Sequence, residues 1–241
     1  MDESTIEAQA MRLANRAYAY RVFHIAFGAE PSSDELRVLA SPETVEAFRF
    51  LAETAREEGS GEGTQTLTAA ADLLASLGAH AEDAAGVASL KASFTRLFLV
   101  PGASFVHPWE SPYIGKEVML FQESTLDVRH RYAAYGFAAA EFGHFPEDHV
   151  SMMLDFLAHL SSAAFEAFGD GNDEEAGRIL ADQRAFVAAH LDTWLPAFVE
   201  KLCEQDAEGT YARLARALRA FVELDKALMD AWAGACPNPA R

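Results

Sequence analysis

Cysteine is scarce in this chain. Cys203 and Cys236 are the only two in 241 residues and have no CxxC spacing, so a disulfide framework and the common cysteine metal sites are excluded. That usage fits a reducing compartment, and the cytoplasm is the expected location. Positive charge is equally thin, with 19 Lys+Arg against 37 Asp+Glu and a net charge of −18. Such a surface repels a phosphate backbone, and no basic block offsets it, which argues against general nucleic-acid binding and favours a cationic partner. No uncharged run reaches the roughly 18 residues of a membrane span. The opening MDESTIEAQAMRLANRAYAY lacks the basic start and short apolar run of a secretory signal. A soluble protein with no export signal of its own is expected.

Catalytic motifs are also missing. Gly115-Lys116 resembles the end of a phosphate-binding loop, but Glu117 stands where Ser or Thr is required and no glycine lies five residues before Gly115. Neither HExxH nor GxSxG occurs, and Ser104 has no nucleophile-elbow context. Runs of alternating strand residues, internal repeats and sustained heptads are absent as well.

Apolar residues at helical spacing fill most of the chain. Ile6, Ala10, Leu13, Ala17, Tyr20 and Phe27 mark a long first helix. Ser32 with Glu35 predicts a capping box for a short second helix, and Ser41-Pro42 an N-cap with proline at the first helical position. The glycine-rich stretch 57–63 reads as a flexible loop. Two core helices follow, the second carrying Val87, Leu90, Phe94, Leu97 and Phe98 without a break. From Pro101 to about Lys116, Pro101, Pro108 and Pro112 alternate with Phe105, Trp109 and Tyr113, which predicts an irregular loop bearing large apolar side chains. Helical spacing resumes over Leu126–Phe137 and breaks at Gly143-His144-Phe145-Pro146. It restarts at Glu147 and Asp148, whose charge suits a helix N-terminus. Further helices run to about Gly169, over Asp173–Leu191, around Trp194 and Phe198, and from Gly209 to Leu224. The fold expected is all-α.

Two segments carry candidate chemistry: Phe94–Phe98 running into the Pro/aromatic loop, and Pro146-Glu147-Asp148-His149. Each has a plain structural reading, as core stripe and loop cover for the first and as helix cap for the second. His144, Asp148 and His149 with Glu141 or Glu147 offer nitrogen and oxygen ligands close together. Their spacing across a proline fits no common zinc pattern. His24 reads as a hydrogen-bonded core residue.

The order of motifs resembles a known family. Phe94-x-x-Leu97-Phe98, Val100-Pro101, Pro108-Trp109-Glu110-Ser111-x-Tyr113, Pro146-x-Asp148-His149, then His190-Leu191-x-x-Trp194-Leu195-Pro196 and Tyr211 are similar to the TorD/DmsD/NarJ redox-enzyme maturation chaperones. One departure is Phe145, which stands where that family has a glutamate. The resemblance implies a single TorD-like helical domain over 1–241 of about ten helices, with an N-terminal lobe over about 1–140, a hinge near 141–147 and a C-terminal lobe over about 148–236.

It implies a cytoplasmic, non-enzymatic chaperone without a cofactor. Its partner would be the catalytic subunit of a molybdopterin-dependent oxidoreductase, bound through an N-terminal twin-arginine-type signal peptide until cofactor insertion. By motif position Phe94, Leu97, Phe98, Pro108, Trp109, Glu110, Pro146, Asp148 and His149 form the peptide-binding set. Arginines would pair with the carboxylates, and the apolar stretch would lie on the aromatic face. Monomer and domain-exchanged dimer both stay open. The family has been linked to guanine nucleotides, although no phosphate cradle is legible here. Two other readings stand beside it: a small metal- or nucleotide-dependent helical enzyme using His144, Asp148 and His149, and a helical adaptor with no signal-peptide role.

Overall fold

The computed structural model describes residues 3–115, 123–137 and 146–235. Helix α1 (Glu3–Gly28) is the long first element. Ser32 caps α2 (Ser33–Leu39) in a full capping box with Glu35, and Ser41 caps α3 (Pro42–Glu57) with Pro42 in its first turn. These local predictions hold because a cap needs only its own turn: one side-chain oxygen satisfies an amide that the helix leaves open.

The expected loop at 57–63 shrinks to Glu58, Gly59 and Ser60. Gly59 takes the left-handed φ of 77°, Ser60 accepts from the Gly63 amide, and α4 (Gly61–Ala81) already includes two of the three glycines. Packing of α3 against α4 offsets the roughly 1 kcal/mol that each helical glycine costs.

The core helix expected through Phe98 is in fact α5 (Ala84–Phe94) followed by a single π turn, π1 (Thr95–Leu99), in which the Val100 amide reaches back five residues to the Thr95 carbonyl at 3.0 Å. The helix expected over 173–191 likewise ends as α9 (Asp173–Phe186) plus π2 (Val187–Leu191), closed by Asp192 N–H to Val187 C=O at 3.0 Å. Apolar spacing cannot distinguish a terminal π turn from an α turn, because one extra residue leaves the inward face apolar.

Between these come α6 (Ser111–Ile114), α7 (Glu123–Ala134) and α8 (Val150–Gly169). The chain ends with α10 (Leu195–Asp206) and α11 (Thr210–Ala235). Gly171 at φ 73° and the Asn172 cap separate α8 from α9. All regular elements among the described residues are helical, so the all-α expectation holds. None of these helices is long and apolar enough to cross a membrane.

One continuous apolar core runs through α1, α3, α4, α8, α9, α10 and α11. The most extensive packing is between α1 and α8. Their approach is close enough that a Cβ on Gly28 would stand 3.0 Å from Ser151 Oγ. Aromatic edges knit the centre: Tyr20 meets Phe221 at 4.8 Å, Phe23 meets Phe48 at 5.4 Å, and Phe98 meets Tyr211 at 5.5 Å between ring centroids. Ile6, placed on the buried face by spacing, is instead 44% exposed.

A buried polar knot crosses this core. Asp225 on α11 accepts from Arg16 and, at 2.7 Å, from the Tyr20 hydroxyl, while Arg16 also donates to Gln183 Oε1 at 2.8 Å. Gln183 in turn donates to Ser161 Oγ at 2.7 Å and Leu157 C=O at 3.2 Å. Helices α1, α8, α9 and α11 therefore share one set of satisfied charges, the condition under which a buried ion pair is tolerated. Most of the expected hinge, 141–145, lies outside the described residues, as do Glu141, His144, Phe145 and Cys236.

Candidate functional site

The two motif segments, 37 residues apart in sequence, meet in space. Residues 108–110 run antiparallel to 148–150, with Trp109 bridged to His149. Glu110 N–H donates to Asp148 C=O at 3.1 Å and Val150 N–H to Pro108 C=O at 2.7 Å. The Val106 amide donates to Leu97 C=O at 2.8 Å, so the π1 turn holds the start of the same loop.

Side chains complete the attachment. Asp148 is fully buried, and its Oδ2 accepts from the Ser111 amide at 2.9 Å and from the Ser111 hydroxyl. The helix start expected at Glu147 and Asp148 is displaced to Val150, because residues 146–149 are engaged with the loop and it is His149 that caps α8, accepting from Ser151 N–H at 3.2 Å. Burial, reinforced by nearby His24, pushes His149 down to about 3, which keeps the lone pair the cap requires. His24 is hydrogen-bonded as expected, with Nδ1 at 2.9 Å from Ser151 Oγ. Glu147 is buried and paired with Arg129 Nε at 2.8 Å, and its carbonyl accepts from the Tyr132 hydroxyl at 2.9 Å.

Glu110 is likewise closed to solvent. Its Oε2 lies 3.1 Å from His190 Nδ1 and its Oε1 3.3 Å from Thr193 Oγ1, while His190 Nε2 lies 2.8 Å from Asp127 Oδ2. Arg131, the main cause, holds Asp127 below the usual carboxylate range. His190 sits on π2 and its carbonyl accepts from Trp194 Nε1. Both ring nitrogens thus face carboxylates. The two π turns grip the loop at either end.

Phe94, Leu97 and Phe98 are core residues, each under 5% exposed, and Pro108 and His149 are buried too. Trp109 and Pro146 are half-buried. What the loop presents outward is a ladder of half-buried rings, Phe105 to His107 at 4.8 Å and His107 to Trp109 at 5.1 Å. Leu99 and Val100, exposed at 46% and 55%, lie just before it in sequence. Tyr113 packs tilted on Trp194 at 5.3 Å and receives Lys201 Nζ over its ring at 4.6 Å. Sequence reasoning missed the Glu110–His190–Asp127 chain and the ring ladder's use of His107. The only advance signal was that the His190 and Glu110 segments both carried motifs.

Asp148 Oδ2 and His149 Nδ1 are occupied as above, His144 lies outside the described residues, and no group of three or more potential ligands occurs among those described.

Residues 55–200, more than half of the chain, match the family model described as nitrate reductase delta subunit. The TorD chaperone of Vibrio parahaemolyticus is 31% identical over 89% of this chain and 94% of its own length. That of Vibrio cholerae is 35% identical over 58% of this chain, and the match spans 62% of the relative's length. A protein of Archaeoglobus fulgidus with a solved structure, provisionally described as a redox enzyme maturation protein, is 22% identical over 86% of this chain and 93% of its own, with a TM-score of 0.45. By the extent of the family match and by the full-length relative, this all-α chain belongs to the nitrate reductase delta subunit family, among its TorD-type chaperones.

Proposed function

We propose that the chain is a cytoplasmic, non-enzymatic maturation chaperone that binds the N-terminal, twin-arginine-type signal of a molybdopterin-dependent oxidoreductase catalytic subunit and holds it for folding and cofactor insertion. The observation that carries this reading is the Phe105–His107–Trp109 ladder, kept at the surface by a loop whose Glu110 and Ser111 are anchored internally. An irregular loop locked this firmly has an ordered apolar face to offer, so little further entropy is lost on binding.

Within the peptide-binding set the roles divide. Trp109 and Pro146 are accessible and contact the peptide. Phe94, Leu97, Phe98, Pro108, Glu110, Asp148 and His149 act from beneath as positioning residues, because they are buried and partnered. An exposed arginine pair contributes about 0–1 kcal/mol, against about 1.5–3 kcal/mol for covering a large apolar side chain. The apolar face therefore supplies most of the affinity, while the acidic surface speeds encounter. Calorimetry with a synthetic twin-arginine signal peptide tests this: Trp109→Ala is expected to weaken binding about 10- to 100-fold and Asp148→Asn less. The reverse order, with circular dichroism unchanged, refutes it.

A further inference from the structure

A large cleft lies away from this loop. It encloses about 800 Å³ between the start of α4, α10 and α11, and a neighbouring hollow of about 210 Å³ shares Thr66 and Arg216 with it. Three arginines of α11, Arg213, Arg216 and Arg219, line the two at steps of three, so they form one row along a single helix face. In a chain of net charge −18, most arginines elsewhere reach carboxylates: Arg37, Arg56, Arg129, Arg131, Arg178 and Arg184 all close ion pairs, whereas among the described residues Arg21 meets only the Ser162 hydroxyl and Arg49 stands alone. The row on α11 closes none. Arg216 is instead held in place by the Ala207 carbonyl at 2.6 Å and the Cys203 thiol at 3.5 Å. Of the carboxylates around the cleft, Glu223 is taken by Lys226 at 2.8 Å, which leaves Glu62 and Glu200 on the remaining walls.

We propose that this cleft is a second binding site, distinct from the aromatic loop, for an acidic and extended polypeptide segment of a partner protein. Acidic side chains would lie along the arginine row, each pair a forked, charge-assisted contact. Pro196, Ala197, Val199 and Ala220 supply the apolar part of the lining. The two free glutamates decide against a compact polyanion: a triphosphate filling the cleft faces like charges across it, whereas a peptide turns acids to one wall and amides or apolar groups to the other. The remaining acidic surface does not forbid this, because at physiological salt its repulsion is screened beyond about 8 Å.

Cys203 lines the cleft and is half-buried, which provides a local reporter in the Cys236→Ser protein. The probe is a short blocked peptide of alternating Glu and Leu, with its Gln/Leu counterpart as neutral control and inorganic triphosphate as compact anion. Saturable binding of the Glu peptide, slowed thiol reactivity of Cys203, and at least a tenfold loss of affinity in Arg213→Glu/Arg219→Glu are expected. Both sites lie on exposed or half-exposed positions of α11, and circular dichroism checks the fold. Trp109→Ala should leave this affinity unchanged, and the double arginine variant should bind the twin-arginine peptide as before, so failure here is separable from failure of the signal-peptide reading. Equal binding of the Glu and Gln peptides, tighter binding of triphosphate, or unaltered affinity in the arginine variant overturns the proposal.

Discussion

Glu110→Ala tests whether the loop is held from inside. The carboxylate is 0% exposed and is partnered by His190 Nδ1 at 3.1 Å and Thr193 Oγ1 at 3.3 Å. Truncation removes the charge, leaves the Nδ1 side of a ring that is itself 3% exposed without its acceptor, and opens a small void. Breaking a buried pair from one side costs about 3–5 kcal/mol. The lower end applies here, because His190 keeps Asp127, which is half exposed and so can draw water. A loss of about 3 kcal/mol lowers the Tm of a domain this size by about 6–12 °C. Urea denaturation followed by circular dichroism measures the global part, and cleavage by thermolysin within 100–110 measures any local release of the loop. A Glu110/His190 double-mutant cycle isolates the pair, with a coupling of about 1.5 kcal/mol or more expected. If Glu110→Ala moves neither stability nor loop cleavage, or if the coupling falls below about 0.5 kcal/mol, the anchored-loop account is wrong.

Asp225→Ala strands Arg16 in the core and should cost about 3–5 kcal/mol in denaturant unfolding, whereas breaking an exposed pair such as Arg37–Glu82 should leave the urea midpoint nearly unchanged. His149 is depressed to about 3, so the unfolded chain binds its proton first. The stability it contributes is complete above about pH 6.5 and is lost as pH falls toward 3, at up to about 1.4 kcal/mol per unit. His149→Asn keeps a capping oxygen and should flatten that part of the acid limb, as read by the difference in urea midpoints between pH 7 and pH 5. An unchanged slope refutes the assignment.

Much of the architecture was legible from local signals. The capping box at Ser32 and Glu35, the Ser41-Pro42 start, the Asn172 break and the Pro/aromatic loop all depend on side chains within a few residues of the backbone groups they satisfy. The order of motifs was sufficient to name a family and to bring the Pro108–Ser111 and Pro146–His149 segments under one heading. Glycine content misled at 57–63, where a conformational preference of about 1 kcal/mol per residue yields to packing of α3 on α4.

Sequence by itself therefore determined the helical class, the caps and the positions of the motif segments, because periodicity and capping are short-range. Only the tertiary structure decided what the motif residues face. Glu110 and Asp148 read equally well as exposed contacts for arginine or as internal anchors, since a carboxylate's role depends on what lies opposite it, and the partners lie 80 residues away at His190 and 37 away at Ser111. The same holds for the arginine row of α11: its spacing is visible in one dimension, but that none of the three closes an ion pair, although Glu62 and Glu200 line the same cleft, is a property of the packed helices alone.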